Sequence, residues 1–391
     1  MTWNDNTESN VEFLESAHRF SQMHYLDRPY SSRAWGNPLH SLCSYQGKLK
    51  PSIAHFLVQE FTNPGDIVLD PFSGSGTIPL EAALQGRRPI GNDLQELAYI
   101  LTLGKIGLPN PADAEIEVEN FLKHVHSNHV SKSAIAETEA FGLNGKIAEY
   151  FHERNLKEVV NAREYIRDNL DHLTPAKALV FSAFLHILHG NRPYALSRRS
   201  HPVTPLKPKG PFEYRPIEPR LLAKISKSLA ANQSQLQFTQ APIIPGRALW
   251  STFEDIPLAG EAHSVITSPP FAESTRFYSS NWLRLWATGW TPDDFKQRKP
   301  TFLEERQKRT MDVYRTFFEN AARWLVPQGR LIMHLGKTSS INMRELLTEL
   351  AAPEFDVVFG FDESVEGKEK FGIRDQGATK FHQFLFLAKN A

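Results

Sequence analysis

The passage from residue 67 to residue 93 constrains the fold more than any other part of the chain. Ile67, Val68 and Leu69 form a short apolar run closed by Asp70. A glycine-rich turn follows, then a helical stretch from Thr77 to Gln85, and a second short strand, Pro89-Ile90-Gly91-Asn92-Asp93, that again ends on a carboxylate. Strand, turn, helix and strand in so few residues is the repeating unit of a parallel, doubly wound α/β sheet. Gly74 and Gly76 let the backbone come close to a ligand. The amides at the start of the Thr77 helix, with its dipole, favour a carboxylate or phosphate. Asp70, at its strand's end, is placed to accept bonds from a ligand amine. Asp93 stands where nucleotide-binding sheets put the acid that receives ribose hydroxyls. A dinucleotide fingerprint requires glycine where Pro79 stands, and a P-loop requires Gly-Lys-Ser/Thr where Gly76-Thr77-Ile78 stands, so neither fits.

A second segment, Thr267-Ser268-Pro269-Pro270-Phe271, follows the apolar Val265-Ile266 and is therefore expected at the carboxyl edge of the same sheet, where open α/β sheets bind ligands. Taken alone, Ser-Pro-Pro reads equally well as a rigid turn. Beside a cofactor turn it suits a flat base carrying an exocyclic amine. Ser268 Oγ and the Pro269 carbonyl would take the two amine protons and bias nitrogen toward a tetrahedral, nucleophilic geometry. Pro269 and Pro270 hold that carbonyl rigidly, and Phe271 offers a stacking face worth roughly 1–3 kcal/mol.

These segments resemble those of the amino-methylating DNA methyltransferases, the N4-cytosine and N6-adenine enzymes, with a DPFxGSGT cofactor turn and a [DNS]-P-P-[YFW] catalytic motif. The resemblance extends upstream to Ser44-Tyr45-Gln46-Gly47-Lys48-Leu49-Lys50-Pro51. It extends downstream through Arg276, Tyr278, Asn281 and Leu285-Trp286 to the Val326-Pro327-Gln328-Gly329-Arg330 turn, covering about two-thirds of the chain. It implies a Rossmann-like methyltransferase fold with a C-terminal antiparallel hairpin, and S-adenosylmethionine held by Lys48, Asp70, Phe72, Gly74, Gly76, Thr77 and Asp93. It also implies a catalytic set of Ser268, Pro269, Pro270 and Phe271, acting on a flipped base in double-stranded DNA, usually beside a separately acting restriction endonuclease. Ser268 in place of aspartate resembles the N4-cytosine members, with N6-adenine as the alternative. An RNA base methyltransferase and a catalytically silent nucleic-acid-binding module are further readings. Gly246-Arg247-Ala248 resembles the family's Gly-Asp-Ala-Arg segment without its acid, a place that falls to Asp255, to Glu254 or to no residue.

The remaining text gives the organisation. Residues 1–40 read as an N-terminal extension with one helix from Val11 to Met23. Residues 41–108 and 241–391 read as the methyltransferase domain, and 109–240 as an insert of amphipathic helices followed by a proline-rich basic loop from Arg192 to Lys227. Formal net charge is zero, with 44 basic and 44 acidic residues, so affinity for a polyanion must be local. Arg192, Arg198, Arg199, Lys207, Lys209 and Arg215, interleaved with Tyr194, His201, Phe212 and Tyr214, suit phosphate positioning and mark this loop as the DNA-binding region. Helices expected from Met311 to Leu325, and strands at Arg330–Leu335, Asp356–Phe361 and His382–Leu387, complete the sheet, the last two as a hairpin at one edge.

Other residue types argue for less. Cys43 is the only cysteine, which excludes an intrachain disulfide and a cysteine metal site and suits a cytoplasmic protein. It sits far from the catalytic motif and reads as a buried, inert thiol. His124, His126 and His129 lack carboxylate or thiol support and read as surface residues, so no metal is expected. Trp282, Trp286 and Trp290 read as one packing face of a helix. No run approaches the roughly 18 apolar residues of a membrane span.

Overall fold

A computed structural model describes residues 4–32, 35–127, 130–236, 243–273, 277–364 and 379–390. Its centre is a seven-stranded sheet: β1 (Ile67–Asp70), β2 (Arg88–Asp93), β3 (Arg247–Trp250), β4 (Ala262–Thr267), β5 (Leu325–Lys337), β6 (Phe355–Ser364) and β7 (Phe381–Lys389), in the order β3-β2-β1-β4-β5-β7-β6. The first five in space are mutually parallel, and β7 runs antiparallel between β5 and β6. This is the doubly wound sheet with an edge hairpin expected from the sequence.

Strand order reverses between β1 and β4, which pair through Val68↔Ser264 and Leu69↔Val265. Chain crossovers leave in opposite directions at such a point, opening a crevice beyond the carboxyl ends of the strands. Both sequence motifs emerge there. The strands are buried on both faces, as parallel strands covered by helices must be: Val68, Leu69, Val265, Ile266, Leu331 and Ile332 are each at most 1% exposed.

The N-terminal helix, Asn4–Ser21, begins earlier than its sequence pattern suggests and is part of the core. Phe13, Ala17 and Phe20 are buried against Phe61 of the helix Pro51–Phe61 and against Phe384 and Phe386 of β7. The Phe20 ring lies 4.8 Å from Tyr25, 5.8 Å from Phe61 and 5.2 Å from Phe384, centroid to centroid.

The expected helices between residues 109 and 188 are present at Pro111–Val125, Lys132–Ala140, Glu153–Asp168 and Pro175–Ile187. They share one apolar cluster with the helix Glu96–Ile106 that follows β2 and with Trp282, Leu285, Trp286 and Trp290. Trp282 and Trp286 lie on the helix Trp282–Ala287, and Trp290 follows it; all three are buried.

The basic stretch departs from its expected form. Its second part is a 20-residue helix, Ile217–Leu236. Pro219 falls in the first turn, where amides have no intrahelical acceptor and proline costs little. The first part is a folded loop bridged at Gly190↔Arg199 and Arg199↔Lys209. Arg276 and His129 lie outside the described residues, His126 is exposed, and Cys43 is buried with its thiol pKa raised by that burial. Among the described residues no helix is long and apolar enough to cross a membrane.

Because Phe20 joins the N-terminal helix to the hairpin, Phe20→Ala is expected to destabilise the whole protein by about 3–5 kcal/mol. The measurement is denaturant unfolding of the full chain. A destabilisation below about 1 kcal/mol would show that this helix is a dispensable appendage.

Candidate active site

A pocket opens over the β1–β4 crevice. Its floor is the turn after β1. Asp70 is buried, and its Oδ1 accepts from Phe72 N at 3.2 Å and from Thr267 Oγ1 at 2.7 Å. The second of these bonds ties the two motifs together. Asp93, at the end of β2, accepts from Gly74 N (2.9 Å) and from Gln95 N (2.9 Å). Asn92 donates to the Pro71 carbonyl (3.3 Å) and the Ser251 carbonyl (3.1 Å), fastening the loops after β1 and β3 to β2.

The turn's conformation explains its glycines. Gly74 has φ +50° and Gly76 φ +69°, both in the left-handed region. A Cβ on Gly76 would stand 2.9 Å from Thr102 Oγ1 and 3.0 Å from Thr102 Cα. Gly76 is thus a packing glycine under the helix Glu96–Ile106, and it does not line the pocket, whereas Lys48, Asp70, Phe72, Gly74, Thr77 and Asp93 do. The turn's amides are mostly occupied within the protein: Ser73 N donates to Asn92 O (2.8 Å) and Gly76 N to Ser73 O (2.7 Å), besides the two on Asp70 and Asp93. Little of an anion cradle remains.

Charge selects instead. Asp70 is pushed up to about 7, chiefly by burial, and Asp93 to about 6 for the same reason. Glu304, on the short helix Leu303–Arg306, also lines the pocket. It accepts from Phe277 N at 3.2 Å and is pushed up to about 7, by burial first and then by the neighbouring Asp93. The pocket-lining cations are engaged elsewhere: Lys48 Nζ donates to His40 O (2.9 Å), and Arg306 pairs with Glu254 at 2.6 Å. Three partly protonated carboxyls in one pocket await a positive ligand, not a phosphate. Asp255 is exposed and bonded to Thr252 Oγ1, so Glu254 is the one of the two sequence candidates at the pocket.

Beneath the turn lies a buried assembly that sequence reasoning missed. Glu81 accepts from His40 Nε2 (2.6 Å) and His55 Nδ1 (2.9 Å) and is held at about 2: burial opposes its charge, and these two bonds outweigh it. Buried Lys105 donates to Ser75 O. Both lie in apolar text whose helical pattern gives no reason to single them out.

The Thr267–Phe271 segment forms the pocket's other side. Ser268 and Pro270 line it; Pro269 and Phe271 do not. The Phe271 ring sits 5.3 Å from the His334 ring and 6.1 Å from that of His382, filling the space left by Gly336, where a Cβ would collide with it. The aromatic faces at the pocket are instead Tyr45, Phe72, Phe253, Phe277 and Phe302, with Tyr45 and Phe277 nearly parallel at 18°. Gln307 Nε2 donates to the carbonyls of Pro270 (3.1 Å) and Phe271 (3.3 Å), and not to that of Pro269. Ser268 Oγ lies 3.0 Å from His334 Nδ1 on β5.

Of the six basic residues assigned to DNA, four are exposed: Arg192, Arg199, Lys207 and Lys209. Arg198 donates to Gly210 O (2.7 Å) and Glu149 O (3.0 Å). Arg215 donates to Ala195 O (2.9 Å) and Ser197 O (2.8 Å). These two brace the loop.

A reversed-order parallel sheet with an antiparallel penultimate strand is the Rossmann-like methyltransferase fold. Residues 16–102 match the family described as DNA methylase, whose model covers N6- and N4-acting enzymes. A type II methyltransferase of Methanocaldococcus jannaschii is 36% identical over 68 residues, which is 17% of this chain and 13% of that protein, so the match spans about an eighth of the relative's length. Over this segment, which carries the turn after β1, the chain is similar to the amino-methylating DNA methyltransferases, and S-adenosylmethionine is the cofactor that this likeness supports. Among solved structures, the rRNA methyltransferase aviRa from Streptomyces viridochromogenes aligns over 93% of this chain and 95% of its own, at 11% identity and a TM-score of 0.39. A geranyl diphosphate C-methyltransferase from Streptomyces coelicolor A3(2), solved with S-adenosyl-L-homocysteine, aligns over 88% and 77%, at 9% identity and 0.34.

The raised carboxyl pKa values give S-adenosylmethionine binding a definite pH dependence. A cationic ligand prefers the ionised carboxylates, so binding at pH 6 must expel protons that Asp70, Asp93 and Glu304 hold in the free protein. Affinity is expected to rise from pH 5.5 to 7.5 and then level. Titration calorimetry in buffers of different ionisation enthalpy should report net proton release near pH 6, and a flat profile would remove the electrostatic account.

Proposed function

We propose that this protein methylates the exocyclic amine of a base in double-stranded DNA, with N4 of cytosine favoured and N6 of adenine the alternative. The observation that carries this reading is the hydrogen bond from Thr267 to Asp70, which sets the base-facing segment at the edge of the cofactor pocket. When bound, S-adenosylmethionine supplies an electrophilic methyl group on a sulfonium. Asp70, Asp93 and Glu304 hold the cationic ligand. The target base, rotated out of the duplex, presents its amine to Ser268 Oγ and the Pro269 carbonyl. Those two acceptors remove nitrogen's lone pair from conjugation with the ring and aim it along the transfer axis. Gln307 and β5 keep the segment rigid. Phe277 and Tyr45 are better placed than Phe271 to cover the base, while Phe271 supports the segment from behind.

Serine at position 268 supports cytosine through family resemblance alone. The basic loop, residues 109–240 as a recognition insert, a separately acting restriction endonuclease and a cytoplasmic location belong to the same proposal.

The decisive experiment incubates the protein with unmethylated DNA and labelled S-adenosylmethionine, digests to nucleosides, and identifies the methylated base by mass. N4-methylcytosine is expected. N6-methyladenine would reassign the base, and label in RNA alone would reject DNA. Ser268→Ala should lower transfer about ten-fold or more while keeping cofactor binding; transfer at the parental rate would remove the assigned role.

For the loop, Arg199→Glu with Lys209→Glu should weaken DNA binding and reduce the salt slope, by about 0.9 for each phosphate no longer neutralised. Unchanged binding would move the DNA surface elsewhere. Arg198→Glu, by contrast, is expected to lower stability, because its guanidinium holds two backbone carbonyls of the loop and its neighbours.

A further inference from the structure

His334 lies outside both sequence motifs. It sits on β5, beside the end of β4, in the register Thr267↔Met333. The residue is 3% exposed. Its Nδ1 is 3.0 Å from Ser268 Oγ, and its ring is enclosed by Phe271 at 5.3 Å, Phe384 at 5.0 Å and His382 at 4.6 Å. Its Nε2 is buried and has no hydrogen-bond partner among the described residues.

A neutral imidazole has one N–H and one acceptor nitrogen. Buried N–H groups without partners are rare, which puts the proton on Nδ1 and the unused lone pair on Nε2. We propose that His334 is a positioning residue for amine methylation: its Nδ1–H donates to Ser268 Oγ and holds the oxygen in place, so that its remaining lone pair accepts an N–H of the base amine. This inference rests on the reading of Ser268 as an amine acceptor.

A freely rotating serine hydroxyl can offer either its hydrogen or a lone pair to the incoming base, and only the lone pair is productive. A donor fixed behind the oxygen takes one lone pair and holds the Ser268 side chain in one orientation before the base arrives, which is pre-organisation; the base's own N–H then engages the other lone pair. His334 is not a proton acceptor. Its Nδ1 is already protonated, and burial, with His382 and Lys50 beside it, opposes an imidazolium by pulling its pKa well below the ordinary range. The proton lost from the methylated amine passes to water.

The test compares His334→Leu, which keeps apolar volume and removes the bond, with His334→Asn, whose amide nitrogen occupies the Nδ1 position and can donate. His334→Leu should lower kcat about ten-fold with unchanged S-adenosylmethionine affinity. His334→Asn should recover most of that rate. On a Ser268→Ala background His334→Leu should have no additional effect, because the bond is already gone. The kcat pH profile should show no ionisation belonging to His334, and nitrogen-15 spectra should find its hydrogen on Nδ1. Failure of His334→Asn to recover activity, an additive double variant, or a hydrogen on Nε2 would each overturn the inference. Thermal melts and cofactor binding identify a variant that has merely lost its fold. Wild-type protein that methylates no DNA base would count against the proposed function instead, so the two failures are distinguishable.

Discussion

The hydrogen bond from Thr267 Oγ1 to Asp70 Oδ1, 2.7 Å long and buried, is where the molecule's two halves become one site. It depends on β1 and β4 being neighbours although 195 residues separate Leu69 from Ser264, and the parallel pairing of those strands fixes its geometry. A parallel pair brings both carboxyl ends to the same edge. Whatever leaves β1 and whatever leaves β4 must therefore share one crevice. The turn assigned to the cofactor and the segment proposed to face the base meet there because of strand order.

Burial at the same place, which that bond only partly offsets, changes the chemistry of the bond's acceptor. Asp70 has lost solvent and lies near Asp93, in a pocket that Glu304 also lines, so its charge costs energy until a cation enters. The cost to the free protein of burying uncompensated acids grows as pH rises from their ordinary pKa values and is fully present above about pH 7. The same cost becomes binding selectivity, since only a positively charged ligand relieves it. The glycine turn contributes shape: its amides are already bonded to Asp70, Asp93, Asn92 and Ser73. A phosphate would find most of the turn's amides taken and Lys48 and Arg306 engaged elsewhere, which agrees with the sequence's failure to match a P-loop at Ile78.

What can be read in the sequence is local, and what cannot is distant. The β1–turn–β2 unit is legible because its apolar run, its glycines and its terminal carboxylates are contiguous, and the final hairpin because strand text recurs with no helix between. His334, Glu304 and Gln307 are not legible. The first is one polar residue in the apolar run Leu331–Leu335, and the other two act on segments 27 to 37 residues away. Gly76 reads as a ligand residue because a glycine in a cofactor turn carries the same text whether it faces the ligand or a helix. Only the approach of Thr102 separates the two cases. Phe271 reads as a stacking face for a similar reason: its neighbour in space, Gly336, is 65 residues further along the chain.

The helices between β2 and β3 are fastened to the site by two buried arginines and a half-buried lysine that donate to backbone carbonyls. Arg163 reaches Trp286 O and Trp290 O, Arg284 reaches Leu185 O and Pro202 O, and Lys224 reaches Ser41 O next to the segment that covers the pocket. Each guanidinium or ammonium taken from water needs those acceptors, and breaking one such bond leaves a charge stranded in an apolar interior. Such fastening opposes independent movement of the basic loop relative to the pocket. If the exposed face of that loop meets DNA as proposed, the duplex is held at a fixed height above Ser268. The base must then travel to the site, because the site is not built to travel to the base.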